Sequence, residues 1–101
     1  MNSALIVRAE AETDLLQAAQ WYEVRSGGLG TAFLQEVDRL LESIRRNPRQ
    51  FKIRDKKHKL RWGLLNRFPY KVVYLLQEDT VHVIAVTHAA RHHSAWKRRI
   101  R

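Results

Sequence analysis

Residues 70–88 read YKVVYLLQEDTVHVIAVTH and carry the clearest strand signal in the chain. Tyr70 to Gln77 and Thr80 to His88 are rich in Val, Ile, Leu and Tyr, which are residue types that favour strands. Glu78 and Asp79 separate the two runs, and a connection of two residues suits a tight hairpin turn. The stretch therefore predicts two adjacent antiparallel strands in a small sheet.

Alternation along the second of these strands predicts what its two faces meet, because successive side chains of a strand point to opposite sides. One set is Val81, Val83 and Ala85, and the other is His82, Ile84, Val86 and His88. We expect the first set to lie under helices. The second set should line a partly open face that ends at the cationic tail.

Two stripes of apolar residues upstream recur at helical spacing and predict a pair of amphipathic helices. The first stripe is Ala11, Leu15, Ala18 and Tyr22, and the second is Leu29, Phe33, Val37, Leu40 and Ile44. Gly27 and Gly28 should end the first helix, since glycine readily adopts the left-handed conformation. Asn47 and Pro48 should end the second. Asp14 stands near the start of the first helix, where the helix dipole favours negative charge.

The remaining segments complete the predicted fold. Leu5 to Arg8 is a short apolar run that we interpret as an N-terminal strand, and Leu60 to Phe68 as a further strand with poor alternation. Arg49 to Lys59 holds six lysines and arginines and one histidine, and we expect it to be an exposed loop. The expected fold class is α+β: an N-terminal strand and a helix hairpin packed on a small antiparallel sheet, in a single domain over residues 1–101.

Composition restricts the class of protein. Hydrophobic residues make up 45% and charged residues 29% of the 101 residues, which is typical of a folded globular domain. With no cysteine there is no disulfide, no thiolate metal site and no catalytic thiol. No apolar run approaches the ~20 residues of a membrane span, and the first residues lack the pattern of a signal peptide. We therefore expect a soluble cytoplasmic protein.

Charge is distributed unevenly along the chain. Lys and Arg number 19 against 10 Asp and Glu, for a net charge of +9. Residues 1–46 carry five basic and seven acidic side chains, whereas residues 47–101 carry fourteen basic and three acidic ones. The C-terminal half therefore should face an anionic partner: nucleic acid, a ribosome or an acidic protein.

Local motifs add a family resemblance. Gly28-Leu29-Gly30 is followed by Phe33-Leu34, the second helix ends in Ile44-Arg45-Arg46-Asn47-Pro48, and a strand pair follows as Leu65-Asn66-Arg67-Phe68-Pro69-Tyr70-Lys71-Val72-Val73-Tyr74. His88, Arg91 and Trp96 then close the pattern. Together these motifs resemble the RelE/ParE family of bacterial toxins, and they are most similar to its ParE-like branch.

The resemblance implies the toxin of a type II toxin–antitoxin pair, neutralised by an acidic cognate antitoxin. ParE-like members are linked to inhibition of DNA gyrase, whereas RelE-like members cut messenger RNA in the ribosomal A site. Our leading interpretation is a gyrase inhibitor that needs no cofactor and breaks no bond. The alternatives are a ribosome-dependent mRNA endonuclease and a non-toxic basic module that binds nucleic acid.

The resemblance and the charge pattern together predict which residues form the functional site. The expected target-binding residues are Lys57, Lys59, Arg61, Arg67, His88, Arg91 and Trp96. In the nuclease alternative Arg61, Arg67, His88 and Arg91 would be catalytic: the arginines would surround a phosphate and His88 would act as acid or base. In the simpler interpretation the arginines are ordinary surface residues and His88 only hydrogen-bonds nearby backbone.

Several of these side chains have competing interpretations. Trp96 could stack on a base, which contributes ~1–3 kcal/mol, or pack over the sheet edge and hold the tail. The cationic run from Lys52 to Arg61 could bind phosphates, remain solvated, or meet an acidic antitoxin tail beside a hydrophobic groove that includes Trp21 and Trp62. His88, His92 and His93 do not predict a metal site, because His88 closes a strand and helical spacing would be needed.

Overall fold

The computed structural model describes residues 3–92 and 95–100, which form two helices over one five-stranded sheet. The elements are β1 (Ala4–Val7), α1 (Ala9–Arg25), α2 (Leu29–Arg46), β2 (Ile53–Asp55), β3 (Leu60–Leu64), β4 (Tyr70–Gln77), β5 (Thr80–His88) and a short 3-10 helix (Lys97–Arg99). The predicted α+β class and helix hairpin are confirmed. Neither helix in the described part of the chain is long and apolar enough to cross a membrane.

The sheet is mixed rather than purely antiparallel as expected. Its strand order is β1-β5-β4-β3-β2, and only β1 and β5 run parallel. The helix hairpin carries the chain from β1 to the far edge, and the meander from β2 to β5 then returns beside β1 in the same direction. The strand β2 was not predicted: it lies inside the segment expected to be a loop, and it pairs with β3 through an irregular register.

The two helices are joined by a short glycine-rich junction. Gly28 adopts the left-handed conformation with φ of 90°, as its place between the helices requires. The Glu23 carboxylate accepts hydrogen bonds from the backbone N–H groups of Gly28 and Gly30, both at 2.9 Å. These bonds, first the one from Gly28, lower the pKa of Glu23. The predicted end of α1 at this junction is therefore confirmed.

Most of the core lies between the sheet and the helices. Its buried side chains are Ala11, Ala18, Ala19, Phe33, Val37, Ile44, Leu65, Phe68, Val72, Tyr74, Val81, Val83 and Val86. The Tyr74 hydroxyl donates to the Pro48 carbonyl at 2.6 Å, and burial raises the pKa of Tyr74 to about 12. A smaller cluster covers the opposite face of the sheet and consists of Leu60, Val73, Ile84, Ala85 and Trp96.

A bulge in β5 overturns part of the predicted alternation. Val73 pairs with Ala85 but Tyr74 pairs with Val83, which leaves Ile84 as an extra residue in the strand. An extra residue shifts all later side chains to the other face. Val81 and Val83 do face the helices as predicted, whereas the placements of Ala85 and Val86 were wrong. Ala85 packs in the smaller cluster and Val86 in the main core.

Candidate functional site

Three of the predicted site residues lie at one end of the sheet. Tyr70 begins β4 and pairs with His88, the last residue of β5. The amide of Ala89 donates to the Pro69 carbonyl at 2.8 Å, so the β3–β4 loop meets the segment that follows β5. We call this region, residues 65–69 together with 88–92, the Arg67 end. It borders a shallow cavity of about 320 Å³ and carries Arg67, His88 and Arg91.

A buried carboxylate from α2 holds the loop that carries Arg67. Glu36 is 8% exposed, and one of its oxygens accepts hydrogen bonds from the backbone N–H groups of Asn66 and Arg67, the latter at 3.2 Å. The other oxygen has no hydrogen-bond partner among residues 3–92 and 95–100. The Arg67 side chain itself is exposed, with its guanidinium carbon 5.6 Å from the centre of the Phe68 ring. Glu36 thus fixes the backbone and leaves this cation on the surface.

His88 has a local structural role. Its ring meets Tyr70 edge-on at 5.8 Å between centroids, and Nδ1 accepts a hydrogen bond from the Ala90 amide at 3.2 Å. The Arg91 amide in turn donates to the His88 carbonyl at 2.9 Å. These bonds form a tight turn after β5, as the simpler interpretation of His88 expected.

Lys71 anchors the same turn from the opposite face of the sheet. It is 5% exposed, and its Nζ donates to the Arg91 carbonyl at 3.1 Å. The same ammonium group lies 4.5 Å from the centre of the Trp62 ring and 5.9 Å from that of Trp96, within the range of cation–π attraction. Burial, and then the positive charge of Arg54, lower the pKa of Lys71. Lys71 therefore ties the strand to the segment that carries Arg91.

The other predicted cations lie elsewhere. Lys57 and Lys59 are exposed on the turn between β2 and β3, near the far end of β4, whose eight residues span roughly 24 Å. Arg61 is partly buried, and its Nη1 donates to the Phe51 carbonyl at 2.6 Å. The predicted target-binding set is thus divided: Arg67, His88 and Arg91 lie together at one end of the sheet, whereas Lys57, Lys59 and Arg61 lie away from it.

Trp96 is a core side chain. It is 2% exposed, and its ring meets Trp62 at 6.2 Å in an edge-to-face arrangement. The packing interpretation is the one that the structure shows, because a buried ring offers no face to an incoming base. Trp62 consequently belongs to this cluster and not to a groove beside the helices. Of the histidines considered as metal ligands, His92 is exposed and His93 lies outside the described residues.

Comparison with protein families assigns the chain. A family model described as ParE toxin of type II toxin-antitoxin system, parDE, matches residues 5–93. The chain belongs to the ParE toxin family. It is thus the toxin of a type II toxin–antitoxin system, in which the partner is an antitoxin.

The fold of this ParE toxin recurs in a solved structure described as the chromosomal ParDE TA system from P. aeruginosa. The superposition has a TM-score of 0.76 at 15% sequence identity and covers 85% of this chain and 95% of the other. At this identity the likeness concerns the fold. No curated protein matches the sequence significantly.

Two residues that shape the site of this ParE toxin were missed in the sequence. Glu36 stands three residues after Phe33 and four before Leu40, so it falls on the apolar stripe of α2. Lys71 interrupts an otherwise apolar strand between Tyr70 and Val72. A charged residue at a core position indicates a buried group that needs a partner, and this signal would have identified both.

Proposed function

We propose that this ParE toxin inhibits DNA gyrase by direct protein contact through the Arg67 end. The observation that carries the proposal is a pair of exposed cations on a fixed backbone. Glu36 holds the loop of Arg67, and Lys71 holds the segment of Arg91. Within residues 3–92 and 95–100 neither arginine forms an ion pair. Both guanidinium groups are therefore available to carboxylates of a target protein.

A cluster of packed aromatic rings supports the contact surface from inside the protein. Tyr22, Phe33, Phe68 and Tyr70 pack ring against ring directly behind the loop, with centroids 4.9–6.0 Å apart. A surface whose backbone is already fixed loses little conformational entropy on binding. This feature favours recognition of a protein surface by contact alone.

The arrangement gives less support to the mRNA endonuclease. That mechanism needs Arg61, Arg67, His88 and Arg91 around one phosphate, yet Arg61 is directed to the Phe51 carbonyl. The Nδ1 atom of His88 is already engaged by the Ala90 amide. All three tyrosines of the sequence precede the C-terminal segment, and each packs in the main core.

The antitoxin, in the same proposal, binds the helix face. An apolar cavity of about 350 Å³ opens between α1 and α2, with Leu15, Leu34 and Leu41 among its lining residues. Trp21 is 50% exposed further along α1, where the guanidinium of Arg25 covers its ring at 3.4 Å. An apolar segment of an acidic antitoxin would bury this surface, and a carboxylate of the antitoxin would meet the Arg25 guanidinium.

Inhibition of purified gyrase tests the proposal. In a DNA supercoiling assay, the double variant Arg67→Gln and Arg91→Gln should inhibit about tenfold less well, since two exposed charge contacts together contribute about 1–2 kcal/mol. The control Arg25→Gln with Arg39→Gln removes the same charge from the helices and should inhibit as the wild type does. Equal loss in both variants would show that net charge, and not this end, determines inhibition.

Expression in bacteria separates the alternatives. Gyrase inhibition predicts growth arrest with DNA breaks while translation continues. Immediate loss of translation with codon-periodic mRNA cuts, abolished by His88→Ala together with Arg91→Ala, would instead establish the endonuclease. Normal growth would favour the non-toxic binding module.

A further inference from the structure

A second cationic site lies at the end of the sheet opposite the Arg67 end. A cavity of about 500 Å³ opens beside the turn between β2 and β3. Its charged lining residues are Arg8, Lys57, Lys59 and Glu78, and Ile100 closes one side. We call it the hairpin cleft. It shares no residue with the Arg67 end, so both can be occupied at once.

The charges in the hairpin cleft come from separate parts of the chain. Arg8 precedes α1, and its Nη1 donates to the Arg99 carbonyl at 3.2 Å, which fixes the guanidinium near the cleft. Lys57 and Lys59 are exposed on the turn, and neither forms an ion pair within the described ranges. Three cations therefore face one carboxylate, that of Glu78.

Asp55, a further carboxylate near this turn, is already engaged by His58. Asp55 accepts a hydrogen bond from the His58 amide at 3.2 Å, and its other oxygen lies 3.3 Å from His58 Nδ1. Burial acts to raise the pKa of Asp55, but the hydrogen bonds and charge interaction with His58, with a hydrogen bond from the Lys57 backbone, together outweigh it and lower the pKa. This interaction stiffens the turn and keeps Asp55 from pairing with the lysines. Both lysines consequently remain exposed and without an ion pair in the part of the chain that the structure describes.

We propose that the hairpin cleft binds the phosphate backbone of duplex DNA. Ammonium groups and a guanidinium are the usual partners of phosphate oxygens, and they act without base contacts. Cations from two segments of the chain line one open cleft. This arrangement suits the continuous row of phosphates in a DNA backbone better than the separate carboxylates of a peptide. Because the Arg67 end is roughly 24 Å away along β4, DNA in the cleft leaves that end free for a protein.

DNA binding by the purified full-length chain, with no gyrase present, tests this proposal. We would follow the fluorescence anisotropy of a labelled duplex of about 20 base pairs between about 50 and 200 mM salt. Affinity falls with salt, and each lost phosphate contact makes the slope of log affinity against log salt concentration less steep by about 0.9. Lys57→Gln with Lys59→Gln should therefore make the slope less steep by nearly two and weaken binding about tenfold or more at the lower salt concentrations.

Two comparisons make the outcome decisive. Arg25→Gln with Arg39→Gln removes the same charge from the helices and should leave the slope unchanged; an equal fall would show that net charge alone binds DNA and would overturn the proposal. A glutamate-rich peptide of matched charge should displace the duplex poorly. Displacement as effective as that by unlabelled DNA would identify an acidic polypeptide as the ligand instead. Gyrase inhibition is not part of this assay, so its result is independent of the proposed function.

Discussion

Asp14 and Arg99 form an ion pair around the bulge in β5, with Arg99 Nη1 2.7 Å from Asp14 Oδ2 and Nη2 3.2 Å from Oδ1. The same Asp14 Oδ2 accepts a hydrogen bond from the Val86 amide at 3.1 Å, and Arg99 Nη1 also donates to the Ile84 carbonyl at 3.2 Å. A bulge leaves backbone groups without partners in the sheet, and unpaired buried groups are costly. The ion pair supplies these partners and joins α1 to the C-terminal 3-10 helix.

Replacement of Asp14 by alanine should therefore destabilise the fold. The change leaves the Val86 amide unsatisfied and Arg99 without its counter-ion, and we expect the free energy of unfolding to fall by about 2–3 kcal/mol. Urea denaturation measures it. Asp38→Ala removes an exposed carboxylate from α2 and should change stability by less than about 0.5 kcal/mol. Similar values for both variants would mean that the ion pair is not what stabilises the bulge.

The helix junction allows a sharper test of packing. A Cβ atom on Gly30 would lie 2.5 Å from the Ala19 carbonyl oxygen and 2.9 Å from the Glu23 Cβ, and neither atom can move without shifting α1. Gly30→Ala should lower the free energy of unfolding by about 3 kcal/mol. On Gly27 a Cβ would meet only Glu23 Oε2 at 3.9 Å, so Gly27→Ala should cost less than about 1 kcal/mol. Thermal unfolding that fails to separate the two variants would refute the close approach.

Glu36 should control the order of the loop that carries Arg67. Glu36→Ala removes the acceptor of the Asn66 and Arg67 amides, and loss of such buried bonds corresponds to roughly 10- to 100-fold faster hydrogen exchange at those two positions. Amide exchange followed by NMR measures it. Under the proposed function, gyrase inhibition should fall together with this protection, whereas the proposed antitoxin binding on the helix face should persist. Unchanged exchange at Asn66 and Arg67 would show that the loop is held by other contacts.

The helices and the β4–β5 hairpin could be predicted from the sequence because the spacing of their apolar residues matches the period of each element. The bulge at Ile84 could not be predicted, since Asp14 and Arg99, which hydrogen-bond to its backbone groups, are 85 positions apart in the chain. Asp14 was assigned to the helix dipole although it lies on the apolar stripe, three residues after Ala11. Predicted side-chain directions after the bulge were therefore reversed.

The division of the predicted site has a similar origin. Lys57, Lys59 and Arg61 were predicted to bind the target together with Arg67, His88 and Arg91. Hairpin geometry separates them, since the β2–β3 turn and the β3–β4 loop lie at opposite ends of β3. Arg61 and Arg67 stand near opposite ends of the strand expected over Leu60 to Phe68, roughly 20 Å apart, so a residue count along the sequence was sufficient to separate them.

The buried ammonium group of Lys71 should be detectable in the pH dependence of stability. Burial lowers the pKa of Lys71 below its ordinary value of 10.5, with the charge of Arg54 as a second cause. Between the folded and the unfolded pKa the unfolded chain binds more protons, so this residue makes stability increase as pH rises toward 10.5. Lys71→Met retains an apolar side chain between Trp62 and Trp96 but cannot titrate.

Unfolding free energies measured in urea from about pH 7 to about pH 10 should therefore rise less with pH in Lys71→Met than in the wild type. Lys52→Met removes an exposed lysine and should follow the wild-type curve, because an exposed ammonium group has nearly the same pKa in both states. The Lys71→Met variant also lacks the hydrogen bond to the Arg91 carbonyl, so amides in the turn after β5 should exchange faster at every pH. If the three stability curves ran parallel, the ammonium group of Lys71 would have to be solvated in the folded protein, and its role as the anchor of Arg91 would be excluded.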